Sequence, residues 1–372
     1  MKILHVASFQ GNIGDNASHI GFYNILDRIV KHYKVEQLEI RKFYKNYNQS
    51  DKKIFDKTFI DYLNGFELCI IGGGSYLDYW VPNSQTGTYI DIDPILLSQI
   101  QTKTLFASIG CNPHKEIPKG NIEKFRFFLY EANKNRNIKI VVRNDGSVES
   151  IKKDIGEKYL ENIEEILDHG FFYQDNTTYP KVIEKKYVAI NIVNDQLWMQ
   201  SKIRGAIDKK KYLGELKKVV EYCINNMGYD LVFVPHIYSD LKAISELLEI
   251  IDDSMIRGRI TIAPCIQRDE GARYIFSIYK NSEWVIGTRL HANVCSIAMG
   301  KKTIGLAVLD RIEYMYRTLG IEDRVVVLDG EFSEQVIDIL KQNIKNVANN
   351  ELLNKLQNKV VQLYEKIIRE LK

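Results

Sequence analysis

The stretch 284-WVIGTRLHANVCSIAMGKKTIGLA-307 has the pattern of a buried strand, a sharp turn, a buried helix and a second buried strand. Its apolar run WVI ends at Gly287, and the small apolar residues 292–299 predict a helix that stops at Gly300. A new apolar run predicts that the next strand starts at Thr303. Strand, helix and strand in this order are typical of a parallel α/β sheet.

The turn of this stretch carries its polar side chains. Arg289, Leu290 and His291 lie where the strand passes into the helix. Parallel sheets bind ligands beyond the carboxyl ends of their strands, where helix N-termini attract anions. A permanent guanidinium charge beside an imidazole that titrates near neutrality suits an acidic substrate that needs a proton. The local pattern leaves one alternative open, in which Arg289 pairs with a carboxylate and His291 caps the helix.

The same alternation of short apolar runs and helices occurs twice along the chain. It predicts an α/β fold of two Rossmann-like, doubly wound domains that face a cleft, and such a cleft is the default ligand site. We expect an N-terminal domain at 1–178, a C-terminal domain at 179–349, and a helix at 350–372 that crosses back to the first domain. The N-terminal elements include a predicted loop at 9–17, a helix from residue 19, a helix at 91–101 and a helix within 154–183.

Composition excludes several classes of protein. The chain has 372 residues, of which 45% are hydrophobic and 27% charged, as in globular proteins. Its net charge of +3 is too small to indicate nucleic-acid binding. No run approaches the ~20 apolar residues of a transmembrane helix, and we expect no signal peptide. The five scattered cysteines, without a CxxC motif, indicate a reducing cytoplasm and argue against zinc.

Two glycine-containing loops of the N-terminal half follow predicted strands. The first, NIGD, contains Asn12, Gly14 and Asp15, and here Asp15 or its neighbour Asn16 is alternatively a plain helix cap. The second contains Gly72, Gly73 and Gly74 at the end of a buried strand. This triple glycine either exposes backbone N–H groups to an anion or makes an ordinary tight turn.

A third strand of this half, IKIVVR, ends at Arg143. The helix that follows is predicted to be capped by Ser147 or Asp145. Because Arg143 also stands at the carboxyl end of a strand, it is a second candidate for binding an anion. The alternative is an ordinary surface cation.

Taken together, these stretches resemble the polysaccharide pyruvyl transferase family, from Gly11 to about Gly320. The family's most specific motif, Gly-x-Arg-x-His-Ala followed by small residues, matches GTRLHA in the opening stretch. The other matching motifs, in chain order, are NIGD at 12–15, IIGGGSYLD at 70–78, SIG at 108–110, RNDGS at 143–147, LDHGFF at 167–172 and VPHIYSD at 234–240.

Three positions depart from the family pattern. Asn144 stands where the family usually has Asp, although Asp145 is adjacent. Lys302 stands where Pro is common, and Arg311 stands where a Lys is often found. These differences weaken any inference about the identity of the acceptor.

The resemblance implies a GT-B-like fold and the transfer of pyruvate from phosphoenolpyruvate to a sugar of a cell-surface glycan, as a cyclic ketal. In that scheme His291 is the general acid, and Asp15 is a base or orienter toward the acceptor. Arg289 and Arg143 would bind the carboxylate and phosphate of the donor from opposite domains. The scheme requires neither a metal nor a cofactor beyond the donor substrate.

The resemblance also implies supporting roles for neighbouring residues. The donor site would include Leu290, His236 and Ser147, although His236 is alternatively a strand-end histidine bonded to the backbone. The loops on the acceptor side would include Asn12, Gly14, Gly72, Gly73 and Gly74.

Two other functions are compatible with the sequence. One is a glycosyltransferase of the same fold that uses a nucleotide-sugar donor, and the other is a non-catalytic protein of a glycan-assembly complex. The acceptor sugar is lipid-linked, nucleotide-linked or part of a polymer. The helices predicted at 18–33 and 207–224 would permit peripheral contact with the inner face of a membrane, although half-buried surface helices have the same pattern.

Overall fold

The computed structural model describes residues 1–197, 199, 207–342, 344 and 351–370. Contacts divide the chain into two compact units. The first consists of Met1–Phe9, Ile25–His169 and Leu356–Lys372, and the second of Gln10–Asn24 and Gly170–Lys355. The predicted boundary at 178 stays a prediction. The predicted boundary at 349/350 and the last two residues of the predicted C-terminal helix lie outside the described residues.

The first unit contains a parallel sheet of six strands. These are β1 Lys2–Ala7, β2 Lys34–Glu39, β3 Leu68–Gly72, β4 Lys103–Ile109, β5 Ile138–Arg143 and β6 Ile163–Ile166. Their order in the sheet is β2-β1-β3-β4-β5-β6. All neighbours pair in parallel, so the carboxyl ends of the strands lie along one edge.

The second unit contains another parallel sheet of six strands. These are β7 Tyr187–Asn191, β8 Asp230–Phe233, β9 Ile260–Ile262, β10 Trp284–Gly287, β11 Lys302–Ala307 and β12 Val325–Val327. Their order is β12-β11-β10-β7-β8-β9. The two sheets with their flanking helices confirm the predicted fold class.

Helices follow most of the strands. The α-helices are α1 Ile13–Ile29, α2 Lys57–Leu63, α3 Asn121–Lys134, α4 Ser147–Ser150, α5 Lys209–Asn225, α6 Tyr238–Leu248, α7 Asp253–Arg259, α8 Arg268–Asn281, α9 Leu290–Ala298, α10 Arg311–Thr318, α11 Ser333–Lys341 and α12 Glu351–Arg369. No helix within the described parts of the chain is long and apolar enough to cross a membrane.

Both faces of the second sheet are buried, as parallel sheets require. Successive residues of β10 point to opposite faces, so Trp284 and Ile286 join one apolar cluster and Val285 joins the other. The second of these clusters also contains Ile13 and Ala17 of α1. The beginning of α1 therefore packs on the second sheet.

The helix α1 begins earlier than its pattern predicts. We expected a loop at 9–17 and a helix from residue 19, but the helix starts at Ile13. The side chain of Asn12 accepts a hydrogen bond from the N–H of Gly14 at 3.0 Å, as a residue at a helix N-terminus does. Gly14 and Asp15 therefore lie in the first helical turn and not in a loop.

Two further helix predictions are met only by short 3₁₀-helices or turns, and not by α-helices. The segment predicted as a helix at 91–101 forms only the 3₁₀-helix Pro94–Gln99. Within 154–183 the described structure is the end of a π-helical turn, Ile151–Ile155, the 3₁₀-helices Glu157–Leu160 and His169–Phe172, and strand β6. Strand β6 lies at the edge of its sheet and carries two glutamates, so it lacks the apolar run that identifies the inner strands.

The last helix, α12, returns to the first unit, as predicted, because residues Leu356–Lys372 group with that unit. The hydroxyl of Tyr364 lies 2.7 Å from His169 Nε2, within hydrogen-bond distance. The ammonium of Lys103 lies 3.2 Å from the carboxylate of Glu370. These contacts attach α12 to strand β4 and to the 3₁₀-helix that begins at His169.

Candidate active site

The motif of the opening stretch lies at the carboxyl edge of the second sheet. Strand β10 pairs with β7 so that Gly287 is opposite Asn191, the last residue of β7. The side-chain oxygen of Asn191 accepts hydrogen bonds from the N–H of Arg289 at 3.0 Å and from the hydroxyl of Thr288 at 3.2 Å. Asn191 therefore fixes the turn between β10 and α9.

The guanidinium of Arg289 is held by two carboxylates. Asp240 accepts hydrogen bonds from Nε at 2.8 Å and from Nη2 at 2.5 Å, which is the two-point geometry of the strongest such pairs. Asp195 accepts one further bond from Nη2 at 2.9 Å. Burial disfavours the charge of Arg289, but these contacts outweigh it and raise the pKa of the guanidinium. The alternative considered from the sequence, a carboxylate partner for Arg289, is thus present.

The two carboxylates differ in their surroundings. Asp240 is fully buried, whereas the Asp195 side chain is 40% exposed. Asp240 also accepts hydrogen bonds from the backbone N–H groups of His236 and Ile237, at the beginning of α6. It is therefore a fixed anchor, and Asp195 is a partner at the surface. None of the described residues forms a hydrogen bond with Nη1 of Arg289.

His236 is buried beside this ion pair. Its Nε2 lies 2.9 Å from the hydroxyl of Tyr279, and its Nδ1 has no hydrogen-bond partner among the described residues. Burial, with the positive charge of Arg289 and the neighbouring imidazole of His291, lowers the pKa of His236 well below its usual value. The ring is therefore neutral at physiological pH.

His291 lies in the first turn of α9 and faces the first turn of α1. Its Nδ1 is 3.8 Å from Oδ1 of Asp15, close enough for an ion pair when the ring carries a proton. Asn12 donates a hydrogen bond to the same carboxylate oxygen at 3.0 Å. A Cβ atom at Gly14 would lie 2.8 Å from Nδ1 of His291, so only glycine permits this approach.

The remaining polar contacts of α9 hold its beginning in place. Leu290, its first residue, is buried. The amide of Asn293 donates to the carbonyls of Gly287 and Arg289, and its oxygen accepts a 2.7 Å hydrogen bond from Tyr316. Gly300 has a φ of 76°, the left-handed conformation that ends a helix, as the sequence predicts.

Arg143 lies in the first unit and is surrounded by protein partners. Its Nε donates to Asp145 at 2.6 Å, its Nη2 donates to Ser75 at 2.8 Å, and its Nη1 is 3.5 Å from Asp168. The residue is only 2% exposed, so it is not a surface cation. Two buried carboxylates therefore compensate one guanidinium charge.

Ser147 belongs to the same network. Its hydroxyl donates to Asp145 and accepts a 2.8 Å hydrogen bond from the N–H of Cys111. Asn144, one of the departures from the family pattern, accepts a hydrogen bond from the N–H of Asp168 at 3.0 Å. These contacts connect the ends of strands β4, β5 and β6.

Close contacts explain why residues of the triple glycine carry no side chain. A Cβ at Gly72 would lie 1.8 Å from the carbonyl oxygen of Ala107, and one at Gly74 would lie 2.5 Å from the ring of Tyr76. Gly73 has a φ of 79°, and its N–H donates to the carbonyl of Ala107. This N–H is therefore bonded to the neighbouring strand, which at Gly73 favours the alternative of an ordinary tight turn.

The structure thus distributes the predicted site residues over two units. The second unit brings together Asn12, Gly14, Asp15, His236, Arg289, Leu290 and His291. The first unit contains Arg143, Ser147 and the triple glycine. The sequence analysis missed Asp240 and Asn191 as supports of Arg289. The motif VPHIYSD contained the signal for Asp240, but nothing in the sequence links it to an arginine 49 positions later.

The other two departures from the family pattern lie in the second unit. The ammonium of Lys302 is 5.3 Å from the centre of the Trp284 ring, and Arg311 is the first residue of α10. Within the described ranges no group of three or more His, Cys, Asp or Glu is arranged to hold a metal ion. The absence of a metal requirement stays a prediction.

The two parallel sheets with flanking helices define a GT-B-like enzyme architecture. The chain belongs to the polysaccharide pyruvyl transferase family, whose model matches residues 12–311, and it is therefore a transferase of polysaccharide biosynthesis. This match confirms the resemblance recognised from the sequence. No curated protein matches the chain significantly.

Solved structures are similar in fold and distant in sequence. UDP-GlcNAc 2-epimerase from Methanocaldococcus jannaschii is 11% identical, with a TM-score of 0.56 over 98% of this chain and 100% of the epimerase. The enzyme of the same name from Neisseria meningitidis, bound to UDP-GlcNAc, is 10% identical, with a TM-score of 0.54 over 100% of both chains. A glycosyltransferase from Rickettsia africae is 12% identical, with a TM-score of 0.53 over 100% of this chain and 96% of its own. At these identities the likeness concerns the fold alone.

Proposed function

We propose that this enzyme transfers the pyruvyl group of phosphoenolpyruvate to two hydroxyls of one sugar in a cell-surface glycan and closes a cyclic ketal. The proposal rests on the contact between His291 and Asp15 in a chain that belongs to this family. Arg289, whose guanidinium is held by Asp240, lies two positions before His291 in the sequence. An acid and a fixed cation are the groups that this reaction requires.

The donor has a carboxylate and a phosphate, which suit a guanidinium at a helix N-terminus. We assign Arg289 to the donor because Asp240 fixes its Nε and Nη2 while Nη1 donates to none of the described residues. In this proposal the donor competes with Asp195, which makes a single contact at a half-exposed position. Leu290 and His236 shape the same site, and the neutral ring of His236 adds no charge to it.

Each proton in the proposed reaction then has a source and a destination. His291 donates a proton to the methylene carbon of phosphoenolpyruvate, which becomes a methyl group and leaves C2 electrophilic. One sugar hydroxyl attacks C2 and gives up its proton, which restores the acid. A second hydroxyl attacks C2, the bond from C2 to the phosphate oxygen breaks, and inorganic phosphate leaves with the remaining proton. Asp15, beside Nδ1, orients the ring of His291 in this scheme and is also the candidate base for the acceptor.

The donor role of Arg143 stays a prediction. Its three guanidinium nitrogens already contact Asp145, Ser75 and Asp168, which favours a structural role. Ser147 bonds to Asp145 in the same network, and the triple glycine is required by close contacts. In this proposal both therefore support the structure of the first unit. The roles of Asn12 and Gly14 are to position Asp15 and to admit His291.

The acceptor in this proposal belongs to the class of glycans. We also propose that the enzyme works in the cytoplasm, free or at the inner face of the membrane. The support for this location is that the five cysteines are thiols and not disulfides, and four of them are buried.

The test is ligand-induced stabilisation of the purified protein by phosphoenolpyruvate and, separately, by UDP-GlcNAc and related nucleotide sugars. We expect phosphoenolpyruvate alone to raise the melting temperature in proportion to its concentration, and Arg289→Ala to abolish the rise. Arg317→Ala, which removes an exposed arginine of the same unit, is the matched control and should keep it. Stabilisation by a nucleotide sugar instead would show that the donor is assigned wrongly.

The reaction itself is tested by release of inorganic phosphate. Phosphoenolpyruvate is incubated with a panel of methyl pyranosides, and a positive sugar should gain the mass of a pyruvyl ketal. A protein that binds phosphoenolpyruvate but yields no ketal with any glycan would contradict the proposed chemistry.

A further inference from the structure

A pocket of about 220 Å³ in the first unit is used by none of the steps above. Three aromatic residues, Tyr44, Trp80 and Tyr89, line it together with the charged residues Lys45 and Asp91. Its two segments follow the carboxyl ends of β2 and β3, at the edge where parallel sheets bind their ligands. The position and the lining are those of a small-molecule site.

The aromatic rings form a fixed corner. Tyr44 and Tyr89 are stacked with their ring centres 4.3 Å apart, and Trp80 meets Tyr89 at 88° with the centres 5.4 Å apart. The ammonium of Lys115 lies 3.5 Å from the centre of the Trp80 ring, which supports the indole. All three rings are half-buried, so part of each remains accessible.

The polar wall of the pocket is equally well positioned. Asp91 forms a 2.7 Å ion pair with Lys45 and accepts a 2.8 Å hydrogen bond from the N–H of Gln85. A carboxylate has about four acceptor positions, so these two contacts leave capacity for hydroxyl donors. Because Lys45 and Asp91 neutralise each other, the wall offers both a donor and an acceptor without net charge.

The loop that carries Trp80 and Tyr89 is tied to the body of its unit. The buried amide of Asn121 donates to the carbonyls of Tyr79, Val81 and Gly87 at 3.0 to 3.3 Å. Within the loop the hydroxyl of Thr86 donates to the carbonyl of Ile90 at 2.7 Å. A binding wall built on such a loop is preorganised, so little ordering is required when a ligand binds.

We propose that this pocket binds one pyranose ring of the glycan acceptor. The inference rests on the proposed function and adds to it a site for the acceptor. Aromatic walls accept the apolar C–H face of a sugar, and the paired side chains of Asp91 and Lys45 accept from and donate to its hydroxyls. The volume is below the roughly 300–1,000 Å³ of pockets for drug-sized ligands, which suits a single ring.

The test is saturation-transfer NMR on the full chain with methyl pyranosides of glucose, galactose, mannose and N-acetylglucosamine, each without donor. We expect at least one pyranoside to bind the wild type. Trp80→Ala should lower its affinity by about tenfold or more, as the loss of an aromatic anchor does. Tyr130→Ala, which removes a 54% exposed tyrosine of helix α3 outside the pocket, should leave binding unchanged.

A second variant keeps the test decisive if Trp80→Ala does not fold. Asp91→Asn keeps the size of the side chain and removes the charge that pairs with Lys45, so it should also weaken pyranoside binding. Melting temperature and circular dichroism establish that each variant is folded. The inference is overturned if no pyranoside binds the wild type, if Asp91→Asn and a folded Trp80→Ala bind as tightly as it does, or if uridine competes for the pocket.

This outcome is distinct from that of the donor test. A protein that binds a pyranoside through Trp80 and is not stabilised by phosphoenolpyruvate would retain the sugar site and lose the proposed reaction. A protein that is stabilised by phosphoenolpyruvate and binds no pyranoside would lose only the sugar site.

Discussion

Oδ1 of Asp15 lies 3.8 Å from Nδ1 of His291, although 276 positions separate the two residues in the chain. The contact joins the first turns of helices α1 and α9 within the second unit. Asn12 holds the carboxylate from the other side by a 3.0 Å hydrogen bond. An acidic partner fixed in this way restricts the orientation of the imidazole, and this leads to the first prediction.

Replacing Asp15 by Asn should lower kcat by about 10²-fold, because the carboxylate that orients the proposed general acid is lost. The KM for phosphoenolpyruvate should change little, since Arg289 binds the donor in this proposal. Phosphate release with the most reactive pyranoside measures both constants. Asp323→Asn changes an exposed carboxylate of the same unit and should have no effect. An equal loss of kcat in both variants would show that Asp15 has no specific role in the reaction.

Replacing Gly14 by Ala should lower activity without unfolding the protein. The new Cβ would lie 2.8 Å from Nδ1 and 2.9 Å from Cβ of His291, so the ring must move. Gly214→Ala is the control, since a Cβ at this position of helix α5 has no heavy atom within 4 Å. It should keep activity and raise the free energy of unfolding by about 0.5–1 kcal/mol. A fully active Gly14→Ala would mean that the position of the His291 ring does not matter.

Neutralising Asp195 should change donor affinity, whereas neutralising Asp240 should change the stability of the protein. Asp195→Asn should tighten binding of phosphoenolpyruvate, because a half-exposed competitor for the guanidinium is weakened. Asp240→Asn should lower the free energy of unfolding by about 3–5 kcal/mol, since it leaves a buried guanidinium poorly compensated. Calorimetric titration and urea denaturation measure the two effects. Weaker donor binding in Asp195→Asn would show that Asp195 contacts the donor instead of competing with it.

Arg143→Lys distinguishes the two explanations of Arg143. If the residue is structural, loss of the planar fork that contacts Asp145, Ser75 and Asp168 should lower the free energy of unfolding by about 1–3 kcal/mol. Binding of phosphoenolpyruvate to the folded variant should then be unchanged. Full stability with lost donor binding would instead support the donor role.

The stability of the second unit should depend on pH through Glu215. Burial disfavours the charge of this carboxylate, but an ion pair with Lys218 and hydrogen bonds from Ser333 outweigh it and lower its pKa from 4.5 to about 2. The charged form therefore stabilises the fold above pH 4.5, and this contribution is lost as the pH falls toward 2. In denaturation series the advantage of the wild type over Glu215→Gln should shrink over that range. A constant difference would exclude Glu215 as the titrating group.

Much of the fold was predictable because inner parallel strands are apolar on both faces. The run WVIG and the stop at Gly300 identified β10 and the end of α9 without reference to distant residues. Strand β6 was missed because an edge strand with Glu164 and Glu165 needs no apolar run. The start of α1 was missed because Ile13 is buried by the second sheet, and no local pattern contains that contact.

The sequence predicted candidate residues for the site but not the connections between them. Arg289 and His291 were proposed from their place after a strand and Asp15 from the match of NIGD to the family motif, and their roles stay predictions. That Asp240 anchors Arg289 and that Gly14 admits His291 are relations between distant segments, and a single sequence does not record them. For Arg143 the position after a strand was informative, but its two carboxylate partners were not anticipated.

Because residues Gln10–Asn24 belong to the second unit, that unit cannot be produced as one continuous fragment of the chain. A fragment that begins at residue 179 would lack Asp15, and it would leave exposed the apolar surface that Ile13 and Ala17 cover. Such a fragment should aggregate, whereas addition of a peptide with the sequence of residues 10–24 should restore its solubility. The second unit of this enzyme is thus encoded in two separate places, and any split version of the protein must carry both.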